Sequence, residues 1–218
     1  MFFARFLSWI GHPLLLLTYG LVLLLCVNPY AFGVNRLLEQ TSVVLLLSVF
    51  FSTFLLPGVG VLLMKMLGFI QSFEMEDPKE RIGPYIVTGI FYLWLFKNLL
   101  SGGHAPWLYV VFTLGATLGL FTAFFINNFS KISAHTTGMG GFATLMLLAA
   151  LEWRGSSVAV PAFGGYVSIS IWVVAAACVV FAGATGTARL MLGAHTVADI
   201  WRGYAAGVVT MLFAYFIL

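Results

Sequence analysis

The chain has 218 residues, of which 61% are hydrophobic, 16% aromatic and only 8% charged, whereas soluble domains carry about 25% charged residues. With a mean hydropathy of +1.05, this composition excludes a soluble globular domain and points to an integral membrane protein. Ten Lys and Arg against seven Asp and Glu give a net charge of +3, and these charges, scattered among apolar runs, make no nucleic-acid patch.

The N-terminal stretch MFFARFLSWIGHPLLLL carries one charged side chain and no small-residue cleavage site. It reads as an interfacial lead-in to the first span, not a removable signal peptide. The first span is expected at 13–27, before NPYAFG, and 28–42 form a polar connection with Arg36 and Glu39. The second apolar run, 43–70, is longer than the about 20 residues one span needs. Pro57-Gly58 within it predicts a tilt, kink or break, and Lys65 near its end can snorkel to the interface. The polar stretch QSFEMEDPKERIGP follows. Further spans are expected at 84–101, 107–127, 137–152, 166–186 and 198–217, joined by GGHAP, NNFSKISAH and EWRGSSVAVPAFGG. The runs are continuous, without the alternation of a β-barrel. Cys26 and Cys178 lie inside them and read as small buried hydrophobes. No linker or repeat divides the chain. The expectation is a single transmembrane domain over 1–218, an all-α polytopic helix bundle of six to seven transmembrane helices.

Three polar islands, 74–84, 127–135 and 187–199, are each separated from the next by two spans, so all three face one side of the membrane. They hold Glu74, Glu76, Asp77, Lys79, Glu80, Arg81, Lys131, His135, Arg189, His195 and Asp199. The opposite side offers mainly Arg36, Glu39, His104, Glu152 and Arg154.

The third island, RLMLGAHTVAD, has the richest chemistry. His195 and Asp199 are four apart and share a helix face. A carboxylate there can accept from one imidazole nitrogen, fix the tautomer, and leave the other nitrogen as nucleophile or base. Arg189 can fork onto two oxygens of an oxyanion. The bland reading makes Arg189 a snorkelling anchor and His195 a packing residue, but three such residues between two spans favour a site. The second island runs into KISAHTTGMGGF, where Ser133 and His135 precede Gly138, Gly140 and Gly141. Small residues allow close helix packing, and a helix N-terminus offers free N–H groups to an anion. In the first island Lys79 and Arg81 are the only cations among Glu74, Glu76, Asp77 and Glu80, and a solvated loop explains them equally well.

These residues resemble the type 2 phosphatidic acid phosphatase superfamily of membrane phosphatases, over about 77–217. Its third motif, S-R-x5-H-x3-D, is matched at Arg189, His195 and Asp199, with Ala188 in place of Ser. Its second, P-S-G-H, is matched at Ser133 and His135, with Ile132 for Pro and Ala134 for Gly. Its first, K-x6-R-P, is degenerate: Arg81 is followed by Pro84 at the wrong spacing, and Glu74 stands where Lys is expected. Divergent bacterial members carrying DxKERxxP and KISAH variants are similar. The resemblance implies a metal-independent lipid phosphatase without cofactor. His195 would be the nucleophile forming a phosphohistidine, Asp199 its orienting partner, and His135 the acid and then base. Arg189, Arg81, Ser133, Ala134 and either Lys79 or Lys131 would hold the phosphoryl oxygens. The implied partners are a lipid phosphate substrate and membrane lipids, with no nucleic acid.

Two other readings stay open. His12, His104, His135 and His195 can be haem ligands, in an electron carrier that leaves Arg189 and Asp199 without a role. A catalytically inactive scaffold or transporter of the same fold accounts for the degenerate first motif. The loop-charge rule, taken literally, puts the island side in the cytoplasm, because Arg5, Lys65, Lys79, Arg81, Lys131, Arg189 and Arg202 outnumber Arg36, Arg154 and Lys97. Four of those seven are candidate phosphate ligands, and without them the rule is balanced. The resemblance implies the bacterial inner membrane with the site facing the periplasm.

Overall fold

Apolar runs bounded by Pro, Gly and small polar caps become the helices. The computed structural model describes residues 1–218 apart from Glu74, Glu76, His104, Phe163 and Gly164, and only the backbone of Pro78. Its helices are α1 (Phe2–Ile10), α2 (Leu16–Val27), α3 (Gln40–Phe50), α4 (Leu56–Met66), α5 (Ile82–Gly102), α6 (Trp107–Asn127), α7 (Ala134–Glu152), α8 (Ile171–Met191) and α9 (Val197–Ile217). Among the described residues, six stretches are long and apolar enough to cross a membrane: Phe2–Val27, Gln40–Met66, and α6 to α9 each alone. Helix α5 is also 21 residues long, but Lys97 and Asn98 interrupt its apolar run; it packs against α4 and α6. The protein is an all-α polytopic membrane helix bundle.

Two expected boundaries are corrected, and the irregularity expected at Pro57-Gly58 takes the form of a π turn. The first span does not begin at 13: α1 precedes it, and a 3-10 turn over Pro13–Leu15 separates α1 from α2. His12 caps that turn, its Nδ1 accepting from the Leu14 amide at 3.4 Å. The second run passes through a π-helical turn over Phe51–Leu55, just before Pro57. Proline has no N–H for the carbonyl four residues back, and a π turn absorbs that mismatch without ending the helix. The span expected at 166–186 is displaced to Ile171–Met191. Residues before it pair instead as an antiparallel hairpin, β1 (Ser157–Ala162) with β2 (Gly165–Ser170), in register Ser157 to Ser170. The alternating β-branched residues of VAV and YVSIS suit a strand, and Ser170 starts α8 by accepting from the Trp172 amide at 3.3 Å. The five-residue shift puts Arg189 in the last turn of α8 instead of a loop.

The core lies where α2, α6, α7, α8 and α9 meet, around fully buried Tyr109, Phe112, Leu145, Met146 and Met211. Buried Tyr109 gives its hydroxyl hydrogen to the Leu17 carbonyl at 3.0 Å, so α6 is tied to α2. Helices α7 and α9 approach most closely through glycine. A Cβ on Gly140 would stand 2.7 Å from the Tyr204 carbonyl oxygen, and one on Gly207 would stand 2.0 Å from that of Thr137. Small residues replace the missing hydrophobic drive between helices in lipid. This contact fixes how the first turns of α7 and α9 stand relative to each other.

Candidate active site

Ser133 is fully buried and caps α7, its Oγ accepting from the Thr136 amide at 3.4 Å. The same residue donates its amide to the Asp199 carbonyl at 3.4 Å, and the Thr136 hydroxyl donates to the Ile200 carbonyl at 3.1 Å. The first turns of α7 and α9 are thereby stitched together. The N-terminal amides of α7, at Ala134 and His135, open beside the start of α9, where partial positive charge favours an anion.

The connection from α8 to α9 is a tight turn. Gly193 adopts φ +64°, a left-handed conformation that suits glycine after a helix end. Its neighbour Ala194 donates to the Arg189 carbonyl at 3.2 Å. Thr196 and Asp199 then form a capping box: Asp199 Oδ2 accepts from the Thr196 amide at 2.9 Å, and Thr196 Oγ1 accepts from the Asp199 amide at 3.3 Å. His195 is held between these two devices.

The expected hydrogen bond between His195 and Asp199 is not formed. Nδ1 of His195 lies 3.9 Å from Asp199 Oδ2, beyond hydrogen-bond range, and has no hydrogen-bond partner among the described residues although it is buried. Asp199 is engaged by the capping box and by Arg202, whose Nη1 lies 3.6 Å from Oδ1. Burial, with Arg189, Lys131 and Arg81 nearby, pushes the His195 imidazole down to about 4, against the opposing pull of Asp199. His195 is therefore neutral near pH 7, the form a nucleophile needs.

Arg189 and His135 converge on a residue outside all three islands. Arg189 Nη1 donates to the Ser8 hydroxyl at 2.8 Å, while Arg189 Nε is buried with no partner among the described residues. His135 Nε2 donates to the Ser8 carbonyl at 3.1 Å, with the Ser8 hydroxyl at 3.4 Å. A carbonyl only accepts, so that nitrogen carries the hydrogen. The His12 ring stands edge-on to His135, with centroids 5.5 Å apart.

Arg81 closes the opposite side. Its Nη1 donates to Asn127 Oδ1 at 3.1 Å and its Nε to the Met75 carbonyl at 2.8 Å. Lys131 is exposed, yet its charge acts on His195. Lys79 is exposed in the 3-10 turn Pro78–Arg81, where its amide donates to Asp77 Oδ1 at 2.9 Å. Glu80 takes the Gln71 amide at 3.0 Å and so ties the preceding loop. Glu74, Glu76 and His104, named in the sequence reading, lie outside the described residues. Among the described residues, no three His, Cys, Asp or Glu side chains gather in a way that could hold a metal ion.

The structure thus links Ser133 to Asp199 through the backbone, links Arg189 to His135 through Ser8, and leaves His195 3.9 Å from Asp199, with the charges of Arg189, Lys131 and Arg81 acting on it. Ser8, Asn127 and Thr196 were missed by sequence reasoning, and His12, named there only as a possible haem ligand, stands against the His135 ring. The signal for Ser8 was there: Ala4, Ser8 and His12 recur at four-residue spacing in FFARFLSWIGH, opposite Phe2, Phe6 and Trp9. The signal for Thr196 was the T-x-x-D of a capping box.

No family model, curated protein or solved structure matches this chain.

Proposed function

We propose that the protein is a membrane-embedded lipid phosphatase that works through a phosphohistidine on His195, in the manner of the type 2 phosphatidic acid phosphatases. The observation that carries this reading is the convergence of Arg189 and His135 donors, 2.8 and 3.1 Å from oxygen atoms of one residue, beside a neutral His195. Two hydrogen-bond donors aimed at one point, a base held uncharged, and the amino ends of two helices make a place for a tetrahedral oxyanion. A bis-histidine haem site gives Arg189 and Asp199 no work.

In the first half-reaction His195 Nε2 attacks phosphorus and the bond from phosphorus to the lipid oxygen breaks. His135 takes up at Nδ1 the proton that a monoanionic phosphate brings with it, and gives its Nε2 hydrogen to that leaving oxygen. The hydrogen left on His195 Nδ1 faces Asp199, whose carboxylate stabilises the positive ring after a shift of about 1 Å brings it into hydrogen-bond range. In the second half-reaction His135 takes a proton from water, the hydroxide oxygen bonds to phosphorus, and the bond from phosphorus to His195 breaks. Arg189, Arg81 and Lys131, with the Ala134 and His135 amides, hold the phosphoryl oxygens as charge shifts during transfer. These cations supply the charge neutralisation themselves, which supports a metal-independent reaction.

The substrate class is a lipid phosphomonoester or pyrophosphate. The site sits at the ends of membrane helices, so tails can remain in lipid while the headgroup enters. We place it on the outer face of a bacterial inner membrane. The test is phosphate release by purified protein from a panel of lipid phosphates, with and without EDTA. Release that resists EDTA and is inhibited by orthovanadate is expected. No release from any of them removes the reading.

A further inference from the structure

Helix α1 is short and two-faced. Its outer face shows Phe2, Phe3, Phe6 and Trp9, between 50% and 86% exposed. Its inner face, against α8, buries only Ala4 and Ser8. The helix ends at Gly11, which is seated so tightly that a Cβ there would stand 2.7 Å from Thr185 Oγ1 and 2.9 Å from Met139 Cε. The 3-10 turn after His12 disconnects α1 from α2.

Three consequences follow. The exposed aromatic face is compatible with lipid whether α1 is docked or turned away, so undocking costs little apolar burial. What α1 would lose is chiefly the polar hold of Ser8 on Arg189 and His135. That hold is also incomplete: Arg189 Nε and His195 Nδ1 are buried with no partner among the described residues. A single hydroxyl uses one arm of a guanidinium fork, whereas a phosphate can take two.

We infer that α1 is a resting-state plug in which the Ser8 hydroxyl and carbonyl occupy the Arg189 and His135 donors, and that a phosphate-like anion entering the site displaces the helix about Gly11. The inference rests on the phosphate-site reading above. It adds that the free site is closed by the chain's own first helix, so that substrate competes with an internal mimic. Any such competitor weakens apparent affinity by the fraction of molecules left open.

The test is backbone hydrogen–deuterium exchange on the full chain, with and without orthovanadate, in wild type and Ser8→Ala. Vanadate is expected to slow exchange in 131–137 and 192–199 and to speed it in 2–12. Ser8→Ala is expected to exchange fast in 2–12 without any anion, and to bind vanadate about tenfold tighter, the weight of one charge-assisted hydrogen bond. Protection of 131–137 and 192–199 with 2–12 unchanged or slower overturns the plug and leaves the phosphate site standing. Weaker vanadate binding by Ser8→Ala also overturns it, and makes Ser8 a ligand of the anion. Absence of protection at 131–137 and 192–199 in both proteins removes the phosphate site, and displacement by an anion with it.

Discussion

Nδ1 of His195 stands 3.9 Å from Oδ2 of Asp199, while the same Oδ2 accepts the Thr196 amide at 2.9 Å. The carboxylate is thus a helix cap first and a neighbour of the imidazole second. This divides the expected effects of substitution. Asn keeps an acceptor for the cap, so Asp199→Asn should change stability little while slowing turnover by weakening His195 orientation. Asp199→Ala should lose the cap as well, at about 1 kcal/mol. Thermal melts and turnover of both variants check this. Equal stability loss in the two would mean that the cap is not what Asp199 supplies.

His195→Ala should abolish the acid-labile phosphoenzyme while the protein still folds, because no other described imidazole is held neutral beside Asp199 in this geometry. Wild-type-like turnover in that variant would remove His195 as nucleophile.

The pH dependence has a definite sign. Burial and the nearby cations hold His195 at about 4 in the folded protein, against about 6.5 for an unperturbed histidine. Phosphoenzyme formation should therefore keep its acid limb near pH 4. Between that value and about 6.5 the unfolded chain binds the extra proton, so the contribution of His195 to stability rises with pH across this window. Single-turnover labelling against pH, with His195 reactivity to diethylpyrocarbonate at pH 5.5, measures both protonation and chemistry. An acid limb at pH 6 to 7, with an unreactive His195 at pH 5.5, would contradict the assignment.

The two lysines left open by sequence are separable. The charge of Lys131 acts on His195, whereas the Lys79 side chain is exposed at the far end of a 3-10 turn. Lys131→Ala should raise KM for a lipid phosphate by about three- to tenfold, the range of a partly screened charge contact. Lys79→Ala should stay within about twofold. The reverse order would return Lys79 to the phosphate set.

Much of this arrangement was legible before any coordinates. The number of spans between polar islands placed Arg81, Ser133, His135, Arg189 and His195 at one end, and helix ends meeting there bring them together. What failed was local. Residues 166–170 are apolar enough to be counted into a span, and only pairing with 157–162 shows them to be a strand. Tertiary context chose between two states that composition left equal. Ser8 was hidden differently: an amphipathic stretch shows which residues share a face, but not which helix that face meets. The close contact of α7 with α9 was half visible, in Gly140 and Gly141, while Gly207, which meets Thr137 and Gly141, looked like an ordinary span residue.

That contact makes a prediction of its own. A Cβ on Gly207 would collide with the Thr137 backbone at 2.0 Å, and nothing lies within 4 Å of one on Gly183. Gly207→Ala must push apart the two helices that carry His135 and Asp199, and overpacking of this kind costs about 1–3 kcal/mol. Gly183→Ala should be neutral or slightly stabilising. A Gly207→Ala protein with unaltered melting and turnover would show that α7 and α9 do not meet this closely.

The proposed membrane orientation can be weighed by separating charges by what holds them. Lys79, Arg81, Lys131 and Arg189 are candidate phosphate ligands, and Arg202 reaches Asp199 at 3.6 Å, so it too has a local reason to be where it is. Setting these aside leaves Arg5 and Lys65 at the site end against Arg36, Lys97 and Arg154 at the other. On this count the loop-charge rule favours the other end as cytoplasmic, which agrees with the outward-facing site proposed above. A cysteine replacing exposed Ser130, in a chain with Cys26 and Cys178 changed to alanine, should be labelled by an impermeant thiol reagent in intact spheroplasts. Labelling only after lysis would put the site in the cytoplasm and would exclude substrates confined to the outer leaflet.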